Sequence, residues 1–243
     1  MRQKIRKIII IFSFLLFPIT IWYFSPYLII QAASEHIMNG SFIVFVLMFI
    51  CSMFLGRVWC GYLCPAGGLQ ESIAVCNPKT LKQGWRNYIK YVIWGIWIIA
   101  VVVTFILGKN DVTIDPLYMT DHGISVSSIY NYIIYYGVLL LLILPALLHG
   151  KRAACHYICW MAPFMVIGSS IGRLLHFPQL HIEAEKDKCI SCGKCSKTCS
   201  MGLNVKEMVE QGKNSKCTEC IQCGACVDEC PKKVLKYKMI WRS

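Results

Sequence analysis

The chain has 243 residues, of which 56% are hydrophobic and only 16% charged, so membrane spans must be sought before any soluble fold is considered. Lysine and arginine outnumber the acids by 25 to 13. The basic residues flank apolar runs, so they read as a membrane-orientation signal, and nucleic acid is not expected as a partner.

The chain opens with MRQKIRK and then IIIIFSFLLF, a charged and an apolar stretch like those of a signal peptide. The apolar run continues to Ile30 with no small-residue cleavage site, which predicts a retained anchor helix. Four stretches, at about residues 8–30, 41–56, 88–108 and 129–149, are read as spans, although the second is short for one. Pro18, Pro26 and Pro145 fall in or near them and predict kinks that membrane helices tolerate. Aromatic residues near span ends, among them Trp22, Tyr23, Tyr27, Trp85, Tyr130 and Tyr132, read as interfacial anchors.

Charge sets the orientation. Arg2, Lys4, Arg6 and Lys7 precede the first span, while residues 31–40 hold no lysine or arginine. Arg57, Lys79, Lys82 and Arg86 follow the second span, and Lys151 and Arg152 follow the fourth. The third loop sets Lys109 against Asp111, Asp115 and Asp121. This asymmetry predicts a multi-pass protein of the cytoplasmic (inner) membrane with both termini in the cytoplasm. The segment MAPFMVIGSSIGRLLHF, interrupted by Gly168 and Gly172, is expected to be an interfacial or re-entrant helix. The polar turn after Pro178 divides a membrane domain, 1–178, from a cytoplasmic domain, 179–243.

Nine of the fifteen cysteines lie in that second domain. Cys189, Cys192, Cys195 and Cys199 have x2, x2, x3 spacing, repeated by Cys220, Cys223, Cys226 and Cys230 before Pro231. This is the bacterial ferredoxin run, in which the fourth cysteine of each run serves the other cluster. The expected sets are therefore Cys189, Cys192, Cys195 and Cys230 for one [4Fe–4S] cluster, and Cys199, Cys220, Cys223 and Cys226 for the other. Structural zinc prefers paired CxxC knuckles, and disulfides need an oxidising compartment. Cys217 is read as a spare thiol. Some sixty-five residues can bury little apolar surface, so folding of this domain should be coupled to cluster binding.

A second pattern lies at the membrane. GRVWCGYLCPAGG follows the second span and GKRAACHYICWMAP the fourth, each with a glycine, a basic residue and C-x-Y-x-C. The repetition suggests an internal duplication that brings Cys60, Cys64, Cys155 and Cys159 together across a pseudo-two-fold axis. An iron–sulfur cluster, another soft metal, a redox-active thiol pair or plain packing are the readings open for them. Cys51 reads as packing, and Cys76 has no evident partner. His149, His156 and His176 are read first as packing or interfacial residues, with proton transfer near a redox centre as the sharper alternative.

Together, CGYLCP, CHYIC and the two ferredoxin runs resemble the NapH-like ferredoxin-type membrane proteins, and the membrane cores of NosR and CcoG. The resemblance covers nearly the whole chain, although Trp160 stands where the family's second motif has proline. It implies an α-helical membrane protein of four spans in two repeated hairpins, with a C-terminal α+β two-cluster ferredoxin-like domain. It also implies electron transfer between a cytoplasmic redox protein and the quinone pool or an extracytoplasmic partner, as in a quinol dehydrogenase subunit. The alternative expectation is a copper or iron reductase, or an assembly factor for a respiratory metalloenzyme.

Overall fold

The computed structural model describes residues 1–81, 84–108, 111–212 and 217–241; Lys82 and Lys109, used above to orient the chain, lie outside the described residues. Helix α1 (Arg2–Leu15) gives way to a short α2 (Phe17–Thr20), a 3-10 turn at Ile21–Phe24, and then α3 (Pro26–Ser34). Prolines explain the breaks. Pro18 lies in the first turn of α2 and Pro26 opens α3, where the missing N–H costs nothing. Ser25 caps α3 by accepting from the Leu28 N–H. The expected first span is therefore not one helix; Arg2–Leu15 and Phe17–Phe24 meet at 59°. At the next break, before α3, Trp97 and Trp160 each donate an indole N–H to a carbonyl, of Pro26 and Phe24, at 2.8 and 3.2 Å.

Helix α4 (Gly40–Leu55), capped by Asn39, has 16 residues and is shorter than a full crossing. Helices α7 (Ile89–Leu107) and α8 (Ile129–His149) are longer. Two stretches, Trp85–Leu107 and Ile129–His149, are long and apolar enough to cross a membrane, with mean hydropathy 2.2 and 2.1; the bent pair makes a third if taken as one span. By length and composition two or three helices can cross, and the expected four spans are not shown by this measure. Ile96, Ile99, Ile106, Ile133 and Leu140 point outward from α7 and α8, as lipid-facing residues would. Between the helices, β1 (Ile37–Asn39) pairs in parallel with β2 (Thr113–Asp115) and ties two loops together.

After α4 come α5 (Val58–Tyr62) and α6 (Pro65–Ile73); after α8 come α9 (Ala153–Tyr157) and α10 (Met161–Leu174). Helix α6 runs antiparallel to α1. Ser13 donates to the Leu63 carbonyl at 2.5 Å, and further along Arg6 pairs with Glu71 at 2.9 Å. Helix α10 runs parallel to α4. Phe164 meets Phe45 edge-on at 5.2 Å, and further along Gly168 and Gly172 lie against Phe49, Ser52 and Met53 so closely that a Cβ would overlap them. The glycines are close-packing points rather than helix interruptions. Helices α6 and α10 each carry the chain back to the face where Arg2 meets Asp228 of the C-terminal unit at 2.7 Å.

That unit begins with β3 (Gln179–Ala184), antiparallel to β4 (Leu235–Ile240), with Gln179 opposite Ile240 and Ala184 opposite Leu235. Short helices α11 (Lys194–Lys197), α12 (Val205–Glu210) and α13 (Ala225–Asp228) lie between the strands. The hydrophobic core does not respect the boundary at 178. Phe45, Met48, Met161 and Met165 of the membrane unit join Ile182, Met201, Leu203, Ile221 and Leu235 in one buried cluster.

Candidate iron–sulfur centres

The two ferredoxin runs fold alike. Ser191 and Gln222, each just before the second cysteine, have φ of 51° and 52°; Gly193 and Gly224, each just after it, have 71° and 72°. Left-handed residues on both sides of the cysteine curl the loop, and α11 and α13 then present Cys195 and Cys226 from their first turn. Cys189, Cys192, Cys195 and Cys230 line one cavity. Cys199, Cys220, Cys223 and Cys226 line another, together with Cys217.

Among the described residues, no three His, Cys, Asp or Glu side chains converge closely enough for one metal ion. Each iron of a cubane takes one thiolate, so its ligands surround a larger volume. The cysteine sets fit such a group. Burial, followed by repulsion from Cys223, pushes the Cys199 thiol up to about 11, and Cys220 is also raised well above its ordinary value. Binding iron here must displace protons from these thiols.

The C-x3-C motifs form a further site. Cys60 and Cys155 sit in α5 and α9, while Cys64 and Cys159 precede α6 and α10. All four face one cavity of about 240 Å³. Its other walls are almost wholly apolar, supplied by the broken segment (Phe17, Ile21, Phe24) and by Ile134, Val138 and Leu142 of α8. Trp22 and Tyr27, expected only to anchor the interface, also line it. Burial raises the Cys155 thiol and pushes Cys159 up to about 12, and the neighbouring thiolates add to both.

The site has approximate two-fold symmetry. The Gly67 and Ala162 N–H groups, in the first turns of α6 and α10, donate to Cys64 and Cys159. At matching positions, Gln70 donates to Cys155 Sγ at 3.1 Å and Met165 Sδ lies 3.9 Å from Cys60 Sγ. Arg57 and Arg152 each stand three residues ahead of the first cysteine, and both are buried. Arg152 donates to the Cys60 carbonyl at 2.8 Å and, with Arg6, to Glu71. Burial would raise the Glu71 carboxyl, but Arg152 and Arg6 outweigh it and hold the group below its ordinary value. Arg57 pairs with Glu219 at 3.2 Å; Lys90 bonds the other oxygen of that carboxylate, and His156 Nδ1 lies 3.5 Å away.

Glu219 immediately precedes Cys220 of the second ferredoxin run, so the C-terminal unit reaches into the membrane site. The contact continues through Gly61, where a Cβ would lie 2.6 Å from the Ile221 carbonyl and 3.6 Å from Cys223. Gln3 donates to the Cys223 carbonyl at 2.9 Å, and Tyr62 to the same oxygen at 3.4 Å. Glu71, Gln70, Lys90 and Glu219 were not singled out from sequence, and Arg57 and Arg152 were read there as orientation charges only.

Other expected residues lie elsewhere. Cys51, expected to pack, is exposed on α4, and Cys76 is exposed as well. His149 stacks edge-on with Tyr157 at 5.8 Å, and His176 follows α10 at φ 58°. Buried His156 bonds the Met201 carbonyl through Nε2 at 2.9 Å.

The cysteine sets are those of an iron–sulfur protein, and the two or three long apolar helices are consistent with a membrane protein. Two domain families match the chain. A 4Fe-4S binding domain matches residues 40–82 and 130–178, one stretch around each C-x3-C motif, and a 4Fe-4S dicluster domain matches 181–231. Two uncharacterized proteins of Methanocaldococcus jannaschii are 24% identical over 81% of this chain and 78% of their counterpart, and 23% over 79% and 68%. A protein of Escherichia coli named "Putative electron transport protein YccM" is 27% identical over 83% of this chain and 56% of its own length. No solved structure matches. These likenesses support an iron–sulfur electron-transfer family.

Proposed function

We propose that this protein is a membrane-bound electron carrier with both termini in the cytoplasm. The short α4 completes a four-span topology by pairing with its neighbours. The C-terminal domain exchanges electrons with a cytoplasmic redox protein. The membrane cysteines exchange them with quinone or an extracytoplasmic redox partner. Two [4Fe–4S] clusters, on the crossed cysteine sets given above, supply one-electron chemistry when bound. The chain's own residues hold the stations in contact, exclude water and set the local charge.

The observation that carries this reading is the contact of Gly61, inside the first C-x3-C motif, with Ile221 and Cys223 of the second ferredoxin run. A merely anchored ferredoxin needs no such contact. The apolar cavity at the membrane cysteines, lined by the broken segment and α8, suits a lipid-soluble quinone ring. The same cysteines suit a copper or iron reductase, so the acceptor must be tested directly.

The test is stopped-flow oxidation of dithionite-reduced holoprotein in lipid nanodiscs by a quinone analogue. Rapid bleaching of the cluster absorbance is expected. In Gly61→Val the rate should fall markedly at unchanged iron content, because the side chain forces Ile221 away. No oxidation by quinone, alongside rapid oxidation by cupric ion, would favour the metal-reductase reading instead.

A further inference from the structure

The membrane cysteines are surrounded by unbalanced positive charge. Arg6, Arg57, Lys90 and Arg152 are all buried, the most exposed of them at 3%. Among the described residues, only two carboxylates, Glu71 and Glu219, pair with these four cations. Two positive charges are left over in an apolar interior, where isolated charge is costly. Arg57 Nε and Nη2 and Arg152 Nε also have no hydrogen-bond partner among the described residues. Unpartnered N–H groups on fully buried guanidiniums point to an anionic ligand.

The sulfur atoms are prepared for the same charge. Cys64 and Cys159 each receive a backbone N–H at a helix N-terminus, and Cys155 receives the Gln70 amide. None of the four is in a disulfide, and they share one cavity. Like the ferredoxin cysteines, they do not converge on a single-ion site. A cubane core of charge two plus on four thiolates is a dianion, which matches the excess of two cations.

We propose that Cys60, Cys64, Cys155 and Cys159 together hold a third [4Fe–4S] cluster, buried directly behind Cys223. The inference builds on the electron-carrier reading and names the membrane-side station of that carrier. Arg57 and Arg152 offset its charge. Gln70 is a positioning residue, which sets its potential through the hydrogen bond to Cys155.

The experiment is iron and acid-labile sulfide analysis, with EPR-monitored redox titration, of anaerobically purified full-length protein. About twelve irons per chain, four for each cubane, are expected. Cys60→Ser and Cys155→Ser should each lower this to about eight and remove one EPR signal, leaving the others unchanged. Gln70→Leu keeps every ligand; it should retain all the iron and lower the midpoint potential of that one signal. About eight irons in the wild type, or one zinc or copper in addition to about eight irons, would overturn the proposal. The carrier reading is checked separately: if Cys192→Ser and Cys220→Ser cost no iron, that reading fails whatever the membrane cysteines hold.

Discussion

Replacing Glu219 with glutamine tests how the two halves of the molecule are joined. The carboxylate is 6% exposed and neutralises Arg57 at 3% and Lys90 at 0%. Glutamine keeps the shape and one acceptor but removes the charge, leaving two cations buried beside each other. Breaking a buried pair in this way costs about 3–5 kcal/mol. The penalty falls on the docked state alone, because undocking exposes both cations to water. The docking equilibrium should therefore shift by roughly two to four orders of magnitude. Native-state proteolysis of the C-terminal domain in detergent reads that shift directly, since cleavage tracks the open population when closing is fast. Adding Lys90→Met should restore much of the loss, giving a coupling energy well above about 0.5 kcal/mol. If Glu219→Gln is cleaved at the wild-type rate, Glu219 is not what holds the domain in place.

Two further outcomes follow from the same structure. Iron removal with a chelator should abolish hydrogen-exchange protection of β3 and β4 while leaving that of α7 and α8, because the cysteine sets stand where a larger domain would have an apolar core. Glu71 gives a pH dependence of defined sign. Burial opposes its ionisation, but Arg152 and Arg6 hold its folded pKa below the ordinary value of 4.5. Its contribution to packing α1 on α6 is thus complete above that value and lost as pH falls through the lower folded pKa. Protection of α1 amides, corrected for intrinsic exchange, should be flat from neutral pH to about 5 and then decline, and Glu71→Gln should remove the decline.

What could be read from the sequence depended on how local each signal is. Ferredoxin spacing is local, and the left-handed residues beside Cys192 and Cys223 show why: the loop that wraps a cluster is built from consecutive residues. The C-x3-C duplication was equally visible. Helix α6 was not, because PAGGLQESI is neither long nor apolar enough to stand out, and only its packing on α1 shows that it returns like α10. Arg57 and Arg152 illustrate a different limit. Composition counts a basic residue beside a span as an orientation charge; nothing local shows that it is buried. Their carboxylate partners are 162 and 81 positions away in the chain. Proline gave a correct sign and a wrong magnitude. Pro18 and Pro26 predicted kinks in one span, whereas two prolines eight residues apart, with Ser25 as a cap, produce separate helices.

The departure from two-fold symmetry at the membrane site explains why the C-terminal domain is more than a tethered ferredoxin. Within the first repeat, Glu71 lies seven residues after Cys64 and neutralises Arg152 of the second repeat. The matching position after Cys159 is Val166, so the second repeat offers no carboxylate to Arg57. Glu219 fills that place, entering from between Cys217 and Cys220 and drawing in Lys90 as well. The duplicated membrane unit by itself offers Arg57 no carboxylate, and a domain that covered Arg57 without bringing one would bury an unpaired charge, which is costly. The residue that completes it comes from the loop that also presents Cys220 and Cys223. Docking the domain therefore balances the membrane site and brings Cys223 against Gly61 in the same movement, so neither half has its native electrostatics without the other.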